Sequence, residues 1–184
     1  MDSLNNSVSK VTLRPIAISD TSNVVRWRNE DFVRLNLYSR EKITEDSHLS
    51  YYRDYIETGR CHQFIISIID DGIEHDIGTT FLKNIDSKTR KAEFGIFIGE
   101  KSALGKHLGT DAVKLVLAEA FNHLKMNKVY LSVFADNTRA ISAYKNAGFI
   151  IEGCFKEDFF DGDSYHDIVY MAILRNEWLQ SNSH

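Results

Sequence analysis

Proline occurs once in this 184-residue chain, at Pro15, and cysteine twice, at Cys61 and Cys154. A single proline excludes proline-rich linkers. Two cysteines make no disulfide framework and suit a reduced, cytosolic chain. Either thiol is open to a catalytic reading, but neither sits in a recognisable nucleophile setting, and a free cysteine is commonly core. No apolar run approaches the roughly 20 residues that span a bilayer. The polar start MDSLNNSVSK carries no apolar signal core. Neither sign of charge dominates, with 22 Lys and Arg against 26 Asp and Glu. That balance argues against a nucleic-acid binder, which shows a basic face, and is compatible with a cationic or amine substrate. Linkers, repeats and low-complexity tracts are missing, and the histidines and carboxylates show no metal-ligand spacing.

What is present reads as one mixed α/β domain with one central sheet. Residues 1–10 are expected to be a flexible N-terminus and 11–180 the domain. VTLRPIAI is a first strand with Pro15 near its end. TSNVVRWRNEDFVRLNL reads as a short amphipathic helix, and TEDSHLSYYRDYIETG as a second, capped by Thr44 and stopped at Gly59. HQFIISII and DIGTTFLKNI flank the turn DDGIEH and form a hairpin. RKAEFGIFIG is a further strand. After LGKHLGTDAVKLVLAEAF come the strand KVYLSVF, a helix in NTRAISAYKNAG with Gly148 just past its end, and a closing hairpin around DGDS.

The stretch LGKHLGTDAVKLVLAEAF places Gly105, Lys106, His107 and Gly109 ahead of a helix. Val113, Val116, Leu117, Ala120, Phe121 and Leu124 recur at helical spacing and are core. Chemistry is expected at the helix's N-terminus, where unpaired N–H groups and the dipole favour anionic oxygens. The loop is neither a Walker loop nor a dinucleotide fingerprint. In VFADNTRAISAYKNAGF, Asn137 and Tyr144 lie seven residues apart, close to two turns, and so share one helix face. Asn137 equally reads as an N-cap and Tyr144 as a half-buried aromatic.

AEFGIFIG, LGKHLGTDA and VFADNTRAISAYKNAGF together resemble the GCN5-related N-acetyltransferase superfamily, and the closing FFDGDSYHDIVYMAILRNEW resembles the branch holding ribosomal-protein N-terminal, spermidine and amino-sugar acetyltransferases. The resemblance covers nearly the whole chain. It implies a mixed, mostly antiparallel sheet flanked by helices, a dimer in common with related proteins, and transfer of acetyl from acetyl-CoA to a primary amine. The family loop reads Gln/Arg-x-x-Gly-x-Gly/Ala, and its backbone N–H groups bind the CoA pyrophosphate. Leu104 stands at the Gln/Arg position, His107 at the first Gly and Gly109 at the last, so two of three signature positions depart. A side chain at His107 is acceptable only if the backbone there is not left-handed. The resemblance makes Leu104, Gly105, Lys106, His107, Leu108, Gly109, Thr110 and Asn137 cofactor contacts, with Phe97 and Ile98 among backbone ligands of the pantetheine arm. It makes Tyr144 the general acid for the departing thiolate. It also implies a β-bulge on the fourth strand that supplies Glu93 and a backbone N–H. No metal is implied.

Amine acetylation requires a proton to leave an ammonium, which a carboxylate can accept. Glu93 suits that role, and on a strand it shares a face with Gly95 and Phe97. For the acceptor, WRN, the following VR and IT-x-x-x-H resemble the branch acting on nucleotide-linked amino sugars. Arg26, Arg28 and Arg34 then meet phosphates, and His48 lines the acceptor pocket or acts as base. The alternative is a polyamine, whose carboxylates would come from Glu41, Glu45, Asp46, Asp158 and Asp161. Protein N-termini, aminoglycosides and a degenerate CoA-binding protein without turnover complete the alternatives.

Overall fold

The structure is a computed structural model that describes residues 10–70 and 72–181. The expectation for residues 1–9 lies outside these, and Lys10 already belongs to the first strand. Seven strands form one sheet: β1 (Lys10–Pro15), β2 (Cys61–Asp70), β3 (Ile73–Asp86), β4 (Lys91–Ile98), β5 (Lys128–Phe134), β6 (Ile150–Phe160) and β7 (Tyr165–Leu174). Their order is β1-β2-β3-β4-β5-β7-β6. Every neighbouring pair is antiparallel except β4 and β5. The sheet is therefore mixed and mostly antiparallel, as the family resemblance implies.

Helices cover the sheet. The first expected helix is divided. α1 (Thr21–Asn29) ends where Glu30 turns extended (φ −64°, ψ 132°), and α2 (Asp31–Arg34) is a single turn. At this break the Asn29 amide donates to the Ile43 carbonyl and accepts from the Ile43 N–H, both at 2.8 Å, a pair of bonds across 14 residues. α3 (Glu45–Tyr51) begins at Thr44, whose hydroxyl accepts from the Ser47 N–H at 3.2 Å, as expected of a cap. α3 runs on as a π-helical turn over Tyr52–Ile56. α4 (Leu108–Ala118) and α5 (Thr138–Asn146) match the two central helical readings. α6 (Arg175–Ser181) is an additional element. Its short polar sequence hides an anchor: Trp178 lies on Phe121 at 5.4 Å between ring centroids.

The main core sits under α4. Val113, Val116, Leu117, Ala120 and Phe121 are buried against Leu82, Phe94, Leu131 and Met171. A second cluster joins α1 to the other face through Trp27, which is fully buried beside Val24, Ile16 and Ile65. Gly99 lets the chain pass this indole, because a Cβ there would lie 2.1 Å from Trp27 Cγ. Gly99→Ala is expected to lower stability by about 1–3 kcal/mol, the usual range for overpacking. At this length that is a fall of roughly 2–4 °C in thermal midpoint per kcal/mol. An unchanged midpoint would show that Trp27 is less fixed than the packing implies.

Candidate active site

The one parallel pair places the site. β4 and β5 are joined only at Lys91–Lys128, Ala92–Val129 and Glu93–Tyr130. Beyond Glu93 the two strands part. The opening lies in a cleft of about 870 Å³ lined by Phe94–Ile98 on one wall and Leu131–Phe134 on the other. The β5-facing backbone edge of β4 is thus left without a strand partner, which suits an extended ligand with amide groups. The loop before α4 and the first residues of α5 line the same cleft, with the helical arm α1–α3 as its remaining wall.

Leu104, Gly105, His107, Leu108, Gly109 and Thr110 all line this cleft. Asp111 N makes the first intrahelical bond, to His107 O at 3.2 Å. The N–H groups of the three residues before it therefore have no partner within the helix. Lys106 departs from expectation: its residue lines a second, polar cavity beside Arg14, Arg26 and Asp76. His107 departs too. It is the N-cap of α4 and is left-handed (φ 61°, ψ 1°), the conformation a glycine would take without strain. Histidine is among the side chains that enter this region most often. The exposed imidazole makes no capping bond. His107→Gly should therefore leave stability unchanged or raise it by up to ~1.5 kcal/mol, since ~1–2 kcal/mol of left-handed strain is relieved against ~0.5–1 kcal/mol of added glycine entropy. Urea unfolding checks this. A fall beyond ~1 kcal/mol would mean that the imidazole holds the loop.

Glu93 lines the cleft where the strands part. Lys83 Nζ lies 3.1 Å from its carboxylate and the Asn84 amide donates to it at 2.7 Å. The β3–β4 ladder is regular from Gly78–Ile98 to Lys83–Glu93, and the irregularity falls on β3 between Lys83 and Asp86. The bulge expected on the fourth strand is therefore on its neighbour, where Asn84 adopts φ 51°. That swing brings Asn84 onto Glu93. Neither Lys83 nor Asn84 was legible as a site residue, because nothing in the sequence marks the bulge that sets their register.

Tyr144 also lines the cleft, its ring edge-on to Phe94 at 6.0 Å and tilted on Phe149. Burial, with a smaller contribution from Tyr38, pushes its phenol up to about 12. It is thus protonated at neutral pH and able to donate. Asn137 is the N-cap of α5, its Oδ1 accepting from Ala140 N at 3.1 Å, while its Nδ2 donates to Asn36 Oδ1 at 2.9 Å. That second bond spans the cleft to the helical arm. Nearby, Tyr38 packs on Phe134 and Phe159, and Arg40 pairs with Asp161 at 2.5 Å.

Of the four arm residues singled out from sequence, two line the cleft, Arg28 and His48. Arg26 instead pairs with Glu100 at 2.5 Å beside the second cavity, and Arg34 is held by Asp31 at 2.8 Å and the Arg40 carbonyl at 2.6 Å. His48 is not a helix-surface histidine: it is 5% exposed, and burial lowers its pKa against the opposing pull of Asp20. None of Glu41, Glu45, Asp46, Asp158 or Asp161 lines the cleft, where Glu93 is the sole carboxylate among the described residues. Cys61 is buried and accepts from the Tyr51 hydroxyl at 3.3 Å; burial raises its thiol pKa, which opposes a thiolate role. Among the described residues no group of three or more His, Cys, Asp or Glu is placed to hold a metal, and no helix is long and apolar enough to cross a membrane.

A sheet parted at its parallel pair beside a glycine-entered helix defines the class: acetyl-CoA-dependent N-acetyltransferases. Residues 10–150 match the acetyltransferase (GNAT) domain, and the chain belongs to the GNAT acetyltransferase family. It is 31% identical to a spermidine N(1)-acetyltransferase of Escherichia coli, covering 94% of this chain and 90% of that one. It is likewise 31% identical to a putative ribosomal N-acetyltransferase, YdaF, of Bacillus subtilis, covering 91% of this chain and 93% of that one. Among solved structures, the spermidine N-acetyltransferase from Vibrio cholerae in complex with CoA and spermine superposes with a TM-score of 0.84 at 27% identity, covering 92% of this chain and 98% of that one.

Proposed function

We propose that the protein transfers acetyl from acetyl-CoA to a primary amine of a small molecule by direct attack. The observation that carries this reading is the parting of β4 from β5 beyond Glu93, which opens one cleft shared by Glu93, Tyr144 and the α4 N-terminus. In this reading the unpaired N–H groups at the start of α4 hold the pyrophosphate, and the free edge of β4 carries the pantetheine arm. Glu93 takes the proton from the incoming ammonium, directly or through water. The nitrogen then attacks the thioester carbon, a β4 backbone N–H steadies the oxyanion, and Tyr144 protonates the departing thiolate. The exposed apolar residues Ile150, Ile151 and Phe155 on edge strand β6 support the homodimer expectation.

The names of the relatives favour a polyamine over a nucleotide-linked amino sugar as acceptor. A second reading, the amino sugar, is favoured by the charge of the cleft: Arg28 lines it, and Glu93, the one carboxylate there among the described residues, is already engaged by Lys83. A thiol-release screen with acetyl-CoA over polyamines, UDP- and dTDP-amino sugars, N-terminal peptides and aminoglycosides tests the proposal and ranks the acceptors. Absence of acetyl transfer to every class, with acetyl-CoA bound, would refute it in favour of a CoA-binding protein without turnover.

A further inference from the structure

Segment 35–44 between α2 and α3 has no regular secondary structure, yet it is pinned over the cleft on both sides of Tyr38. Asn36 accepts from Asn137 at 2.9 Å, the Ser39 carbonyl accepts from Arg28, and Arg40 pairs with Asp161 at 2.5 Å. The Tyr38 ring closes a three-ring cluster with Phe134 and Phe159, at 5.2 and 5.4 Å between centroids. A loop tyrosine is thereby held in place without being sealed off: Tyr38 lines the cleft and is 43% exposed, so a ligand can reach it.

Strand register fixes where its hydroxyl lies. Glu93 stands opposite Tyr130 in the last pair before β4 and β5 part. Alternate residues of a strand share a face, so Ser132 lies on Glu93's face of the sheet, while Leu131 and Val133 enter the core under α4. On this face the Tyr38 phenol engages the Ser132 hydroxyl. Ser132 is two residues beyond Tyr130, about 7 Å along the strand. Tyr144 approaches from the other face, among Phe94 and Phe149 of the core. The Tyr38 phenol feels the charge of Glu93 and itself acts on Tyr144, so it stands within electrostatic reach of both.

Two hydrogen bonds of about 3 Å each, with one nitrogen between them, span nearly the same length. An ammonium that sheds one proton to Glu93 keeps two N–H groups, and its freed lone pair must point at the thioester carbon. A single contact to Glu93 leaves the nitrogen free to turn about it; a second fixes the direction. A hydroxyl oxygen carries two lone pairs, and its own proton rotates to suit. Burial raises the Tyr38 pKa, so the phenol stays neutral and does not compete with Glu93 for the proton.

We propose that the hydroxyl of Tyr38, backed by Ser132, is the second hydrogen-bond partner of the reacting nitrogen, opposite Glu93, and so a further catalytic residue of the transfer. This rests on the acetyl-transfer reading and adds to it the group that aims the nitrogen. In the attack step one N–H proton passes to the Glu93 carboxylate, the freed pair forms the bond to the thioester carbon, and the carbonyl pair moves to the oxyanion. Tyr38 accepts one of the two remaining N–H groups and keeps its own proton throughout.

The test compares Tyr38→Phe, Ser132→Thr, Ser132→Val and the double variant Tyr38→Phe/Ser132→Val in single-turnover acetylation of spermidine, or of the amine in the thiol-release panel that wild type acetylates fastest. Tyr38→Phe keeps the ring among Phe134 and Phe159 and removes only the hydroxyl. It should lower kcat/KM for the amine about 10- to 100-fold, the range for a hydrogen bond to a charged group, with KM for acetyl-CoA and the thermal midpoint unchanged. Ser132→Thr retains a hydroxyl and should stay near wild type, whereas Ser132→Val, of the same shape without it, should lose activity. The double variant should be no slower than Tyr38→Phe alone, because groups that act as a unit are not additive; independent packing roles would multiply instead. Full activity in Tyr38→Phe, equal losses in Ser132→Thr and Ser132→Val, or multiplied losses in the double variant would overturn the proposal and leave the transfer reading standing. If Ser132→Val does not fold, Tyr38→Phe alone decides it. No acetylation of any panel amine by wild type would remove the transfer reading and this proposal with it.

Discussion

Tyr144→Phe is expected to lower kcat about 10²- to 10⁴-fold, the usual worth of a positioned general acid, with KM for acetyl-CoA nearly unchanged. The ring is fixed by Phe94 and Phe149. Phenylalanine fills the same space, so the substitution isolates the hydroxyl. Burial pushes that hydroxyl up to about 12, which keeps its proton in place through the physiological range. The effect should appear in single-turnover experiments, where product release does not mask the chemical step. Full kcat with chemistry limiting would reduce Tyr144 to a packing residue.

Gly109→Val should abolish acetyl-CoA binding while the fold persists. Gly109 sits in the first turn of α4 without a left-handed backbone, and a Cβ there meets only Ile98 Cγ1 at 3.9 Å. Nothing within the protein demands glycine at this position. A branched side chain would instead occupy the space in front of the first-turn N–H groups. A ligand at 100 times its Kd stabilises by about 2.7 kcal/mol, several degrees in thermal midpoint at this length. Wild type should show that rise with acetyl-CoA, and Gly109→Val should not, at a similar unliganded midpoint. An undiminished rise in the variant would move the cofactor away from this loop.

The periodic parts of the chain were legible from sequence. The α4 stripe, the central hairpin and the cap at Thr44 follow from spacing and residue type alone. Three features were not, each for a physical reason. The break at Glu30 coincides with Asn29 bonding to Ile43, a contact across 14 residues that no local pattern encodes. The bulge on β3 depends on the pairing of two strands, so Lys83 and Asn84 could not be placed on Glu93. The arginines of the arm looked alike in sequence, and only the helix's seating on Trp27 sends Arg28 into the cleft and Arg26 out of it. His107 is the reverse case. The sequence marked it as the departure in the loop, and its left-handed backbone shows that the glycine-like geometry is retained with a side chain in place.

Amide hydrogen exchange with and without acetyl-CoA asks whether the parted strands and the α4 entry hold the cofactor. A bound pantetheine arm should slow exchange at the β5-facing amides within residues 94–98, and a bound pyrophosphate should slow it at residues 105–110, with β1, β2 and α6 unaffected. Protection confined to other segments, or none at saturating acetyl-CoA, would contradict the account.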